Sequence, residues 1–269
     1  MNISNVAVKK TALFSLKNKY TSGIIAACIY LTSLFILSAC AATAAVAIGT
    51  AGAYALSILL VVFLLLPLTF GYIYRGTMLI FSGECEPLLV FKYFSSKKEY
   101  LKSIKMSFSL VGNALFSYIL LSIPAIFTSL LADGTLFSVL GAQIPIWASN
   151  LLPVARILDY AAIIITAYIM LKYYMAPFLM AADESMDPLE AIHTSKIIAT
   201  RSKWDFIRLS LSFIGYILAC LLVVPVIFIF PYFNAAYNVH CRFAVAHYNK
   251  AIDEANRPKV PNFNANITF

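Results

Sequence analysis

Charge is scarce in this chain. Only 12% of its 269 residues are Asp, Glu, Lys or Arg, while 61% are hydrophobic and the mean hydropathy is +0.84; a soluble domain carries roughly twice that charged share. Even a 300-residue globule leaves about a quarter of its chain's surface wet. A soluble fold therefore has nowhere to put so much apolar side chain, and lipid must be the solvent for much of it. Acids are scarcer than bases, 12 against 20, for a net charge of +8. In a soluble protein that excess suggests nucleic acid. Here the bases sit in short segments between apolar runs, and no basic-aromatic surface domain exists to hold a nucleic acid. Their placement fits the positive-inside rule and attraction to anionic headgroups.

Motifs are equally scarce. The five cysteines, Cys28, Cys40, Cys85, Cys220 and Cys241, form no CxxC and are odd in number, which argues against a disulfide framework or zinc site. They read as small buried hydrophobes. His240 and His247 are seven apart and share a helical face with no carboxylate or cysteine at ligand spacing. With His193 they read as interfacial histidines rather than a metal site. There is no Walker loop, no GxGxxG followed by an acid, no GxSxG and no HExxH. Paired mid-membrane acids, expected of a proton-coupled pump, are missing as well. No cofactor is expected, and an enzyme or a coupled transporter is disfavoured.

What is present is a series of apolar runs near the roughly 20 residues needed to span a bilayer. The expected fold is all-α: a polytopic transmembrane bundle of six spans, at about 22–48, 53–81, 108–131, 154–178, 205–223 and 226–247. Residues 1–21 hold Lys9, Lys10, Lys17 and Lys19 with no acid, and Ile3, Val6, Leu13, Leu16 and Tyr20 at helical spacing. They read either as an interfacial amphipathic helix or as a plain basic tail. Leu37-Ser38-Ala39-Cys40 has the form of a lipoprotein cleavage box, but the apolar run continues through Ala47 where a lipoprotein turns polar. Gly49-Thr50-Ala51-Gly52 predicts a tight turn, and Arg75 is placed to snorkel from the inner end of span two. Residues 83–107 form a basic connection, and 132–153, without Lys or Arg, an outer loop. Asp187-Pro188 is a helix start, an N-cap acid followed by proline, so 183–203 reads as a cytoplasmic amphipathic helix before span five.

The final 44 apolar residues divide near Val224-Pro225. That reading leaves only Arg156 of the 20 bases outside and puts both termini in the cytoplasm, with 249–269 as a tail. Its Asn266-Ile267-Thr268 sequon would then stay unmodified.

The candidate polar residues within the membrane are Asn113, Arg156, Asp159, Lys172, Asn234 and Asn238. Arg156 and Asp159, three apart, read as a structural pair at the outer end of their span, with a gate as the alternative. Lys172 reads as a snorkelling lysine, with headgroup or substrate contact as the alternative. Asn234 and Asn238, four apart, read as interhelical hydrogen-bonding groups. Tyr168, Tyr173, Tyr174 and Tyr232 suit an inner aromatic belt.

One stretch, from Ala176 to Val245, carries a more specific pattern. Asp187-Pro188, Ser195-Lys196, Lys203-Trp204, Leu211-Ser212-Phe213-Ile214-Gly215-Tyr216 and Pro231-Tyr232, with Arg75-Gly76 earlier, resemble a bacterial membrane family catalogued as domain of unknown function 975. Arg201-Ser202 replaces that family's glycine before the basic-Trp pair, and Tyr216 stands in place of its Trp. The resemblance implies a six-helix membrane domain in a bacterial inner membrane and no activity. Trp204 is expected to anchor the junction of the cytoplasmic helix with span five, and Gly215 to admit a neighbouring helix. Lys196, Arg201, Lys203 and Trp204 are the candidate contacts for lipid or partner. The expected function is a non-enzymatic partner-binding, regulatory or lipid-contacting scaffold, engaging anionic headgroups, a membrane-protein partner or a second copy. The alternative is a transporter or an export or immunity component for a small hydrophobic or peptide substrate.

Overall fold

The computed structural model describes residues 3–139, 145, 147–219 and 224–256. Every regular element in them is helical: α1 (Asn5–Leu16), α2 (Tyr20–Leu60), a π-helical stretch (Val61–Leu65), α3 (Leu66–Phe81), a 3-10 segment (Pro87–Phe94), α4 (Lys97–Ala132), α5 (Thr135–Val139), a 3-10 turn (Ala148–Leu151), α6 (Leu152–Met170), a 3-10 turn (Leu171–Tyr173), α7 (Ala176–Ala182), α8 (Pro188–Leu211), α9 (Ile214–Ala219) and α10 (Val224–Asn256). Four stretches are long and apolar enough to cross a membrane: Tyr20–Ala44, Ala55–Phe81, Lys97–Ala132 and Leu152–Ala182. They correspond to the first four expected spans. Large apolar side chains project from them, including Phe116 at 72% exposure and Ile164 at 69%, a surface suited to lipid and not to water.

The breaks between helices have local causes. Gly49 adopts φ 73° and ψ 172° inside α2, a conformation costly for any residue with a Cβ. It separates two arms that face each other across Leu34 and Ala41 on one side and Leu60 and Leu65 on the other. Cys40 lies in the first arm, on unbroken helix. Pro67 has no N–H to offer the Phe63 carbonyl, four residues back, and Tyr100 Oη donates to that carbonyl at 3.0 Å instead. The C-terminus of α3 closes at Gly83, φ 75°, whose N–H bonds Met78 O at 3.0 Å. Two cations complement the same end: Lys19 Nζ to Gly83 O at 2.6 Å and Arg242 Nη1 to Ile80 O at 3.1 Å.

Three boundaries differ from expectation. The third long helix begins at Lys97, not near 108, because Ser96 caps it by accepting from Glu99 N. The polar helix begins at Pro188 as expected, with Asp187 Oδ2 accepting from Leu189 N, but it runs on to Leu211. Ile198, Ser202, Asp205 and Leu209 continue its buried face at spacings of four and three. The expected span 205–223 is therefore divided: 205–211 completes α8, Ser212 and Phe213 turn, α9 follows, and 220–223 lie outside the described residues. The expected span 226–247 falls within α10. Residues 257–269 of the expected tail, with its sequon, also lie outside the described residues.

Helix α10 is the axis of the core. Its buried side chains include Tyr232, Asn234, Ala236, Asn238, His240 and Cys241, and it packs on α1, α2, α3 and α8. Glycines allow two close approaches. A Cβ on Gly71 would lie 1.9 Å from Val90 O of the 3-10 segment, and one on Gly76 2.3 Å from Asn238 Nδ2. Gly215, expected to admit a neighbour, has nothing among the described residues within 4 Å of its Cβ position. Helices α4 and α6 pair through small residues, Ser122 and Ala125 on one and Ala155 and Ala162 on the other.

Candidate functional sites: a basic-aromatic helix face and an aromatic cavity

The outer face of α8 carries Ile197, Arg201, Trp204, Arg208 and Leu211, at alternating spacings of four and three that make one stripe. Trp204 is 56% exposed and Leu211 57%. Lys196 is exposed on the flank. Arg208 reaches back to the buried Asp205 at 3.6 Å. Lys203 does not join the stripe. Its ammonium donates to Tyr168 Oη at 2.7 Å and lies 4.6 Å from that ring's centroid. Trp204 does not mark a helix junction, because α8 passes through it. Arg208 was missed in the sequence reading, although its spacing from Arg201 and Trp204 was legible.

Helix α1 continues this surface. Val8, Ala12 and Leu16 are buried while Val6 and Phe14 are each 76% exposed, so it is apolar on both faces. Lys9 fixes it to the end of α8. Its Nζ donates to Ser212 O at 2.8 Å and sits 4.5 Å from the Phe213 centroid and 5.5 Å from that of Tyr216. The Leu-Ser-Phe-Ile-Gly-Tyr motif thus seats the N-terminal helix.

Beneath lies a cluster of ion pairs. Glu184 Oε1 accepts from Tyr74 Oη at 2.6 Å and from Lys92 Nζ at 2.9 Å. Lys102 donates to Glu184 O at 2.6 Å, and Lys105 pairs with Asp187 at 2.7 Å. The Tyr74 and Lys92 hydrogen bonds hold the Glu184 carboxyl below its ordinary pKa, and Lys105 does the same for Asp187. Partial burial is the largest single influence on the Lys92 ammonium and opposes its charge, but the hydrogen bond to Glu184 together with the charges of Tyr74, Glu184 and Glu99 outweighs it and raises the pKa.

A cavity of about 410 Å³ opens among α2, α3, α4, α8, α10 and the Leu171–Tyr173 turn, within the size range of small-molecule sites. One wall is a cluster of three mutually contacting rings: Tyr30 and Tyr72 at 5.0 Å, Tyr72 and Phe230 at 5.4 Å, and Tyr30 and Phe230 at 5.6 Å. Another is Tyr174 stacked on Phe206 at 4.3 Å. Tyr174 Oη meets Ser202 Oγ at 2.9 Å and His240 Nε2 at 3.0 Å, and its backbone carbonyl accepts from Tyr237 Oη at 2.5 Å. His240 is therefore a core residue; His193 and His247 are exposed. The expected tyrosine belt is divided. Tyr173 and Tyr174 line the cavity, Tyr232 is buried against Phe213, and Tyr168 serves Lys203.

No protein-family model, no curated protein and no solved structure matches the chain.

The intramembrane candidates do not converge on one site. Asn234 borders the cavity, where its Nδ2 donates to Tyr72 O at 2.9 Å. Asn238 Nδ2 donates to Asn234 O and to Asn234 Oδ1, both at 2.8 Å, while Thr77 Oγ1 donates to Asn238 Oδ1 at 2.9 Å. Asn113 Nδ2 bonds Ser109 O of its own helix. Lys172 lies in the turn between α6 and α7, away from the cavity wall. Arg156 and Asp159 do not pair: Asp159 accepts from Tyr118 Oη across the α4–α6 contact at 2.8 Å, and Arg156 points outward. Arg75 does not snorkel. It is 1% exposed, with Nη2 3.1 Å from Ser22 Oγ and 3.3 Å from Cys85 O.

Proposed function

We propose that this is a non-enzymatic, lipid-contacting protein of a bacterial inner membrane, with six spans and both termini cytoplasmic, whose α8 face engages anionic headgroups. The observation that supports this reading is the α8 stripe. Arg201 and Arg208 alternate with Ile197, Trp204 and Leu211 on the exposed side of a helix whose opposite side is packed on the bundle. Cations for phosphate, an indole for the carbonyl region and branched aliphatics for the acyl boundary are the composition of an interfacial helix. The exposed Val6 and Phe14 of α1 extend the same chemistry. The six-span count rests on charge placement: a turn of the last apolar stretch near Val224-Pro225 leaves only Arg156 of the bases on the far side. The bacterial inner membrane rests on the resemblance to the family catalogued as domain of unknown function 975.

A basic side chain near an anionic surface contributes about 1 kcal/mol. The double variant Lys196→Ala/Arg201→Ala removes two cations that hold nothing in the fold, so it is expected to weaken retention of phosphatidylglycerol relative to phosphatidylcholine by about 30-fold. Native mass spectrometry of protein released from mixed-lipid nanodiscs reads the ratio. Unchanged retention in a variant with parental helix content removes the α8 face from this role.

A further inference from the structure

We infer that the aromatic cavity is a binding site for an uncharged hydrophobic molecule with a flat unsaturated ring and a carbonyl-type oxygen. The inference is independent of the α8 face and stands on three observations. The first is the character of the wall: eight of its fourteen residues are Phe or Tyr, and none is Lys, Arg, Asp, Glu or His. A charged ligand would lose its hydration there with no counter-ion in return, so the site selects neutral molecules. The second is geometry. The cluster of Tyr30, Tyr72 and Phe230 and the stack of Tyr174 on Phe206 offer ring faces and edges at contact spacing, which a flat π-system matches better than a saturated chain.

The third observation points to a ligand atom. Tyr72 contributes to the wall and is only 4% exposed; its hydroxyl is buried within that wall with the Asn234 amide nearby, and the hydroxyl proton has no acceptor among the described residues. Three other tyrosine hydroxyls of the wall are committed, Tyr30 to Thr69 at 2.9 Å, Tyr174 to Ser202 and His240, and Tyr237 to Tyr174 O. A buried hydroxyl proton without an acceptor costs free energy that an acceptor on the ligand recovers. Tyr72 Oη is a donor in want of an acceptor, so the ligand oxygen is a ketone, quinone or ester carbonyl.

The test uses the full-length protein in phosphatidylcholine nanodiscs with benzophenone, a neutral diaryl ketone that inserts into nearby C–H bonds under ultraviolet light. Adducts mapped by mass spectrometry are expected at cavity residues such as Met170 and Phe233, and are expected to saturate. Fluorenone should compete about five-fold better than fluorene, which has the same shape without the acceptor. The two should compete equally in Tyr72→Phe, and fluorene-9-carboxylate should not compete. Leu110→Trp, which fills the cavity from α4, should abolish the saturable adducts while helix content is retained. Unsaturable labelling spread over the lipid-facing helices overturns the site. A fluorenone preference that survives Tyr72→Phe, or competition by the carboxylate, overturns the assigned ligand chemistry.

Discussion

Replacing Gly76 by Ala should destabilise the protein by about 2 kcal/mol, and the magnitude follows from its surroundings. The added Cβ would stand 2.3 Å from Asn238 Nδ2 and 2.9 Å from both Asn234 Nδ2 and Asn234 Oδ1. Ordinary contact lies near 3.5 Å, so the Asn238 amide must retreat by about 1 Å. Both amides are buried, Asn238 completely and Asn234 to 6% exposure, so neither finds water. The bonds at risk join Asn238 to Asn234, Thr77 to Asn238, and Asn234 to Tyr72 O. Interhelical hydrogen bonds in membranes average about 0.6 kcal/mol, and a stranded buried amide costs about 1–3 kcal/mol. Alanine's better helix propensity returns up to about 1 kcal/mol.

The assay is unfolding in mixed micelles by titration with sodium dodecyl sulfate, followed by tryptophan fluorescence, for Gly76→Ala, Asn238→Ala and the double variant. Asn238→Ala removes the atom nearest the new methyl, so the double variant should be less destabilised than the sum of the two single changes, with a coupling of about 1 kcal/mol. A Gly76→Ala protein as stable as its parent, or a strictly additive cycle, would refute the close-approach argument.

Two further outcomes follow from the same contacts. Gly71→Ala should be more damaging than Gly76→Ala, because its Cβ meets the Val90 backbone, which cannot rotate away, whereas Gly215→Ala should be neutral; the fraction recovered as monodisperse protein ranks the three. The ion-pair cluster should loosen in acid. The Glu184 and Asp187 carboxyls have folded pKa values below their ordinary 4.5 and 3.8, so their contribution is fully present above those values and lost as pH falls through the lower folded ones. Hydrogen exchange over residues 183–190, measured from pH 5 down to pH 2, should show protection falling only in the lower part of that range. Protection independent of pH there would count against the cluster.

Much of the architecture was legible because it rests on signals close together in the chain. Apolar runs mark the four long stretches, Gly49 marks the reversal, and Asp187-Pro188 marks the start of α8. The N-cap at Ser96 was equally local and was overlooked beneath the lysines that follow it. The cavity was not legible. Its wall joins Tyr30, Tyr72, Tyr174, Phe206 and Phe230, residues up to 200 apart in the chain, and a tyrosine facing a cavity has the same local pattern as one in an interfacial belt. Arg75 and His240 were misplaced for a related reason. Hydropathy reports how apolar a segment is but not which side of it meets lipid, and both residues turn inward. The Arg156–Asp159 spacing was correctly helical, but Tyr118, on another helix, claims the carboxylate.

The docking of α1 has a consequence for the order in which the molecule is assembled. Helix α1 packs chiefly on α10, with Lys9 on Ser212 and Phe213 and only a lesser contact on α3. During synthesis α1 leaves the ribosome about 200 residues before most of the surface that receives it. Until then its apolar side has only the edge of α3 and the lipid boundary to rest on. Helix α1 therefore completes its packing only after α10, synthesised much later, is in position.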